Sequence, residues 1–265
     1  MTRHFSSASD ALGQLFLGCA GWTISLAEKQ YFPGPGTALQ RYARVLPAVE
    51  VNTSFYRSHR PETYARWRDS VPPSFRFSVK MPRTITHHRR LQHTDQLLAQ
   101  FLQEAGALQE KLACLLVQLP PTLRFDPIVA ATFFTQLRAG TGVPVAVEPR
   151  HASWFSAEGA ALLEQFRLAR VAADPAIVER AAPVRSDTVY VRLHGSPVMY
   201  QSSYPEPYLD RLAAELRQRL REGKSTWCIF DNTAVGSAVP NALSLLARFE
   251  EAQAGTARAS KISIG

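Results

Sequence analysis

Eight short apolar runs punctuate the chain: Leu15–Ala20, Ala48–Asn52, Phe75–Lys80, Ala113–Leu119, Val143–Glu148, Arg170–Ala173, Thr188–Leu193 and Thr226–Phe230. Most carry Val, Ile, Leu or Phe on both alternating faces, the pattern of a parallel-sheet strand covered by helices. Helical periodicity occupies Thr37–Leu46, Glu62–Ser70, Thr94–Glu110, Asp126–Leu137, Ala157–Leu168, Tyr208–Glu222 and Ala238–Ala252. Asp126-Pro127 predicts an N-cap followed by proline at the first helical position. Ser156 and Thr94 are placed to cap in the same way. Strands alternating with helices predict βαβ units with right-handed crossovers. One unit is defective: between Ala173 and Thr188, Pro175 and Pro183 bracket too little chain for a full crossover helix. The pattern predicts an α/β fold, a TIM-type (β/α) barrel of seven or eight parallel strands, with an irregular, helix-poor unit near 174–187.

Length agrees, since such a barrel takes about 250 residues as one domain and the chain has 265. The expected division is a flexible arm at 1–14, a single barrel domain at 15–252 and a flexible tail at 253–265. An apolar fraction of 46% supplies a full core and excludes overall disorder. No run approaches the roughly 18 apolar residues of a spanning helix. The polar start has no apolar stretch of signal-peptide length, so neither a membrane nor an exported location is expected. Cys19, Cys114 and Cys228 lie inside apolar runs. Their odd number and wide spacing argue against disulfides or a zinc cluster and for buried thiols in the reducing cytoplasm. The formal charge of +8 favours anionic partners, with phosphates, carboxylates and nucleic acid all in range. Arginine-rich composition alone gives the same number. Oligomeric state is not readable.

A barrel presents its reactive groups where strands end, and here the strand ends are dense in polar groups. Glu50 and Asn52 close the second run, Lys80 the third, Glu148 the fifth, with His151 and Trp154 just beyond. Arg192 and His194 lie at the seventh, and Asp231 and Asn232 at the eighth. Burying such groups is costly unless they are paired or functional. Glu50 and Glu148 read equally as a carboxylate pair for acid–base work and as ion-pair partners of Lys80 and Arg192. Arg192 and His194, two apart on a strand, share a face. Trp22, Tyr56, Trp154 and Tyr200 are candidates for stacking a sugar or base, or for core packing. The basic stretch from Thr84 to His93 suits phosphate contact or plain solvation. Glu148, Asp174, His194 and Asp231 form a weaker alternative, a divalent metal site; no cofactor is otherwise predicted.

These residues also carry a resemblance. Gly-Cys-Ala-Gly-Trp at 18–22, Tyr31-Phe32-Pro33, Val49–Tyr56, Phe75–Lys80 and Ile85-Thr86-His87 resemble the YecE-like family, known as domain of unknown function 72. So do Gln118–Pro121, Val147-Glu148 with His151 and Ser153-Trp154, Tyr190–Gly195, and Asn232 with Asn241-Ala242. The chain departs from the family pattern at Pro149, at Ser196 and in the proline-rich Tyr204–Pro207 loop. The resemblance implies a TIM-type barrel and no established reaction.

Walker A, Gly-x-Gly-x-x-Gly, Gly-x-Ser-x-Gly and His-Glu-x-x-His patterns are absent from the sequence, which disfavours P-loop hydrolysis, Rossmann redox chemistry and zincin proteolysis. The expected function is an enzyme using acid–base chemistry on a small anionic or sugar-like molecule. Glu148, His194 and Glu50 are the candidate catalytic residues. Lys80, Arg192, Asn52, Asn232, Trp22, Tyr56, His151 and Trp154 are the candidate substrate-binding residues. Nucleic-acid binding or metal-dependent processing, and a non-catalytic ligand-binding barrel, are the alternatives. Glu50, Lys80, Glu148, Arg192, His194 and Asn232 are expected to converge in one pocket.

Overall fold

Strands form where the apolar runs predict them. The computed structural model describes residues 13–262, with side chains through Glu251. The strands are β1 (Leu15–Cys19), β2 (Ala48–Val51), β3 (Arg76–Lys80), β4 (Leu112–Gln118), β5 (Val145–Glu148), β6 (Ala169–Arg170), β7 (Ala172–Asp174), β8 (Thr188–Leu193) and β9 (Ser225–Phe230). The helices are α1 (Ala38–Tyr42), α2 (Pro61–Asp69), α3 (Asp95–Gly106), α4 (Pro127–Gly140), α5 (Ala157–Gln165), α6 (Glu206–Arg221) and α7 (Ala238–Ile262). Every strand pairing is parallel. No described helix occupies 175–187, as the two prolines predict.

The caps explain several helix starts. Asp126 accepts from the amides of Ile128 and Val129, with Pro127 at the first helical position. Ser156 accepts from Gly159 N–H. Thr94 does not cap α3. Its backbone lies outside the extended region that an N-cap adopts, and its hydroxyl is buried without a partner among the described residues.

The strands make two parallel sheets, ordered β1-β9-β8-β7 and β2-β3-β4-β5-β6, and not the single closed sheet expected. Both seams have a local cause. Between β1 and β2 the ladder shrinks to one bridge, Ala20 with Glu50. The Tyr42 hydroxyl takes over there, accepting from Cys19 N–H at 2.8 Å and donating to Ala48 O at 3.1 Å. Gly18 permits the approach, since a Cβ at that position would lie 2.0 Å from Ala48 O. At the other seam the chain changes sheets at Val171, whose N–H donates to Val147 O.

Alternation along the strands divides the interior in two. Leu17, Val49, Val51, Phe77, Val79, Leu115, Val117, Val145, Val147, Leu193, Cys228 and Phe230 pack against the helices. Phe16, Ala48, Cys114, Leu116, Ala146, Ala169, Val171, Tyr190, Trp227 and Ile229 form a second cluster made by the strands and the β6–β7 join. Phe16 stacks on Trp227 with centroids 4.5 Å apart, and Trp227 on Tyr190 at 5.7 Å. This stack is an apolar floor, and the charged groups lie beyond it.

Residues 1–12 of the expected arm lie outside the described residues. Gly13 N–H and Gln14 O are bonded to Leu220 and Thr226. Helix α7 runs to Ile262, so the backbone at 253–262 is helical where a tail was expected, in keeping with its Ala, Arg and Lys content. Among the described residues no helix is long and apolar enough to cross a membrane.

Candidate active site

Arg192 is the hub of the charged layer. It projects from β8 on the face opposite the helices, fully buried. Its Nε and Nη2 grip both oxygens of Glu50 at 2.9 and 2.7 Å. Nη1 reaches Glu148 Oε2 at 2.7 Å and Nη2 also reaches Asp231 Oδ2 at 3.0 Å. One guanidinium thus ties β2, β5 and the end of β9 to β8, across both sheets. Below it the Tyr190 hydroxyl lies 2.9 Å from Glu50 Oε2 and 2.8 Å from Ser78 Oγ. Burial opposes ionisation of Glu148, but Arg192, the His194 hydrogen bond and Arg150 outweigh it and hold the carboxyl well below the ordinary carboxylate range. Asp231 is lowered likewise: its burial is overcome first by Arg192 and then by His194. Burial also penalises the Arg192 charge, yet the three carboxylates keep it firmly protonated.

His194 sits directly above. Its Nδ1 is 2.9 Å from Asp231 Oδ2, an acceptor, so Nδ1 carries a proton. Its Nε2 faces Glu148 Oε1 and Arg150 Nη2, each at 2.8 Å. One neighbour accepts and the other donates, so Nε2 can hold or release a proton without losing a partner. Arg150 also pairs with Glu148 at 2.5 Å. The ring edge of Tyr200 packs on His194 at 5.6 Å between centroids.

Lys80 stands apart. It is 5% exposed, and its Nζ lies 4.2 Å from the centre of the Phe55 ring. Among the described residues Nζ has no hydrogen bond and no ion pair, because the carboxylates face Arg192, His194 and Arg150. Burial pushes its ammonium down to about 8. Arg192 adds to that shift, and Glu50, Asp231 and Glu148 oppose it.

Lys80 borders a cavity of about 790 Å³ that Arg150, Asp231, Asn52, Phe55, Tyr56 and Tyr200 also line. Arg83, His87 and His88 join them from one side, delivered by a π-helical turn at Thr84–His88. Such turns recur at functional sites. A smaller cavity of about 310 Å³ holds Trp22 and shares Asn52 and Tyr56 with the first. The Asn52 Oδ1 is buried and unpartnered among the described residues. A third cavity, about 860 Å³, opens where β5, β8 and β9 begin. Arg138 in its wall is already committed to the carbonyls of Phe166, Val143 and Arg167.

Of the six residues expected to converge in one pocket, Glu50, Glu148, Arg192 and His194 come together in a fully buried ion-pair cluster, and Lys80 alone lines the adjoining cavity. Asn232 joins neither. Asp231 faces the cluster, so its neighbour points the other way, and the Asn232 amide donates to Ser202 O and Asn241 Oδ1. Asn52 and Tyr56 line the main cavity, and Trp22 its smaller neighbour, where it meets Trp67 edge-on. His151 is a turn cap, accepting from Ser153 N–H. Trp154 is buried against Phe125 and donates to Leu123 O. Of the four candidate metal ligands, Asp174 is held by the Tyr204 hydroxyl at 2.9 Å, and Arg192 fills the space among the others. Among the described residues no group of three or more His, Cys, Asp or Glu could hold a metal ion. The three cysteines are free and buried, and burial pushes the Cys19 and Cys114 thiols up to about 12.

Sequence reasoning missed Tyr190, Ser78 and Phe55. A signal existed for Tyr190, two residues before Arg192 and therefore on its face. Phe55 follows a strand end and meets Lys80 only through the loop's turn, which alternation does not foretell.

The family description "Protein of unknown function DUF72" matches residues 16–263. The UPF0759 protein YecE of Escherichia coli K12 is 35% identical over 120 residues, 45% of this chain and 44% of that protein, so the match spans less than half of its length. The UPF0759 protein YunF of Bacillus subtilis is 25% identical over 88% of this chain and 93% of its own. Among solved structures, a DUF72 family protein from Thermotoga maritima superposes with a TM-score of 0.74 at 24% identity, covering 89% of this chain and 99% of that one. A second, from Enterococcus faecalis, gives 0.73 at 22%, covering 91% and 99%.

Proposed function

The chain belongs to the DUF72 family of proteins of unknown function, and from the geometry of its mouth we propose that it is an enzyme acting by acid–base chemistry on a small anionic substrate. The two sheets act as halves of one barrel, joined at Ala20–Glu50 and at Val171, and the buried thiols suit the reducing cytoplasm. Arg150, Arg83 and His87 receive the anion. The free Asn52 Oδ1 accepts from a substrate hydroxyl, which suits a sugar-like body resting on Tyr56. Asp231 and the His194 behind it move the proton. Glu50 and Glu148 hold Arg192 and so act as positioning residues.

One observation carries this reading. The buried carboxylates and Arg192 are paired, while Lys80, bordering the cavity, meets only the face of the Phe55 ring and has no hydrogen bond or ion pair among the described residues. An unpaired buried cation is costly, and such costs are retained at functional sites. The test is a thermal-shift screen of carboxylates and sugar phosphates against the wild type, Lys80→Met and Arg150→Met. Small anions are expected to raise the wild-type melting temperature and to lose that effect in both variants. A short single-stranded oligonucleotide, tested at two salt concentrations, supplies the contrary outcome. If it alone binds, with steep salt dependence, the small-anion reading is wrong.

A further inference from the structure

We propose that Lys80 is a nucleophile whose ε-amine condenses with the aldehyde or ketone group of a small anionic substrate to form an imine. The inference rests on the small-anion reading of the mouth and deepens it by naming the substrate class, an anion that bears a carbonyl.

The surroundings of Nζ are those of a reactive amine. A lysine that only binds anions works best as a charged group in polar company. Lys80 instead lies on the Phe55 ring with almost no exposure, and Arg192 is the nearby charge that adds most to its discomfort as a cation. An apolar wall and a neighbouring cation are the two devices that activate lysine for carbonyl chemistry. With its ammonium at about 8 in place of 10.5, Lys80 holds about 300-fold more free amine at neutral pH. Burial lowers the ammonium of Lys111 too, so burial is not what sets Lys80 apart. Lys111 is buried to a similar degree, yet its Nζ donates to Arg68 O at 2.6 Å and Val71 O at 2.7 Å.

The rest of the cavity supplies what the step needs. The substrate anion has its own receivers in Arg150, Arg83 and His87, so it does not compete for Lys80. Asp231 lines the same cavity, and its Oδ2 is fixed by Arg192 and His194, which leaves Oδ1 for proton transfer. The neutral amine attacks the carbonyl carbon, the new C–N bond forms, and Asp231 carries one of the two N–H protons to the carbonyl oxygen, which becomes a hydroxyl. Asp231 then accepts the second N–H proton and delivers it to that hydroxyl. The C–O bond breaks and water leaves. Amine and carbonyl thus give imine and water, with no oxidant or reductant.

The test is reductive trapping on the full chain. Glyoxylate, pyruvate and dihydroxyacetone phosphate are each incubated with the protein and sodium cyanoborohydride, and labelled lysines are mapped by mass spectrometry. At least one compound is expected to modify Lys80 more than about tenfold over Lys29, Lys111, Lys224 and Lys261. The label should vanish in a folded Lys80→Arg variant and without the reductant. Label spread evenly over the lysines, or none on Lys80, overturns the proposal. Lactate and glycerol 3-phosphate, anions without a carbonyl, are run in parallel by thermal shift. If they stabilise the protein while Lys80 stays unlabelled, the imine falls and the anion site stands. If they do nothing and Lys80 stays unlabelled, both fall.

Discussion

Two neighbouring strands are each flanked by a buried lysine, one where its strand finishes and the other where its strand begins, and the two lysines are treated differently. Lys111 precedes β4, and two backbone carbonyls meet its ammonium. Lys80 closes β3, where Nζ meets an aromatic face and a cavity. Residue type and burial are alike, so neither decides the role. What decides it is whether the fold brings acceptors to the charge. At the end where the strands begin the charge is satisfied and serves stability. At the end where they finish, Arg192 gathers the carboxylates and Lys80 is left facing the cavity. Parallel α/β folds keep function at that second end.

The contrast can be broken most severely at Arg192. Arg192→Met leaves Glu50, Glu148 and Asp231 buried without their shared partner. A loss of about 3–5 kcal/mol or more is expected, read as failure to fold or a collapsed midpoint in urea. A variant of near wild-type stability would show that the cluster does not organise the two sheets.

The two lysines should then move stability in opposite directions. Lys111→Met leaves the carbonyls of Arg68 and Val71 without a donor and should cost about 2–3 kcal/mol. Lys80→Met should stabilise the fold at neutral pH, by up to about 3 kcal/mol. The sign follows from the pKa, which is lower in the folded state than the unfolded 10.5. The unfolded chain holds the proton more tightly, so the ammonium penalises folding. That penalty is complete below about 8 and disappears as the pH rises towards 10.5. The advantage of Lys80→Met should therefore shrink between those limits when chemical melts are repeated along a pH series. Both variants destabilising equally at all pH values would erase the contrast. The smallest effect is expected at Tyr190→Phe, about 1–2 kcal/mol, from loss of the hydroxyl at Glu50 and Ser78. Imine trapping at Lys80 should survive it, since Tyr190 lies beneath the cluster.

Much of this was legible in the chain, because strand alternation places side chains without long-range information. From Arg192, the period of two reaches Tyr190 and His194. From Glu148 it reaches Ala146 and Arg150, and all six share the face turned away from the helices. The same rule, applied from Asp231, excludes Asn232, which binds Asn241 on α7. His151 and Trp154 were not legible, because a local turn sets their directions and uses their polar atoms. Nor was the pairing, since sequence offers Lys80 and Arg192 as equal partners for the carboxylates. Geometry gives the carboxylates to Arg192, whose planar fork can meet several acceptors at once. The seam between the sheets escaped for a similar reason: one hydroxyl on α1, that of Tyr42, replaces the ladder between β1 and β2.

Titrating the lysines themselves shows whether Lys80 is the charge this fold leaves without acceptors. Protein labelled with carbon-13 at lysine Cε is followed by NMR from pH 6 to 11, roughly the range in which amines titrate. A transition at about 8 is expected in the wild type and is missing in Lys80→Arg. A wild type in which no lysine titrates below about 10, or whose low transition persists in Lys80→Arg, would show that Lys80 is not that charge.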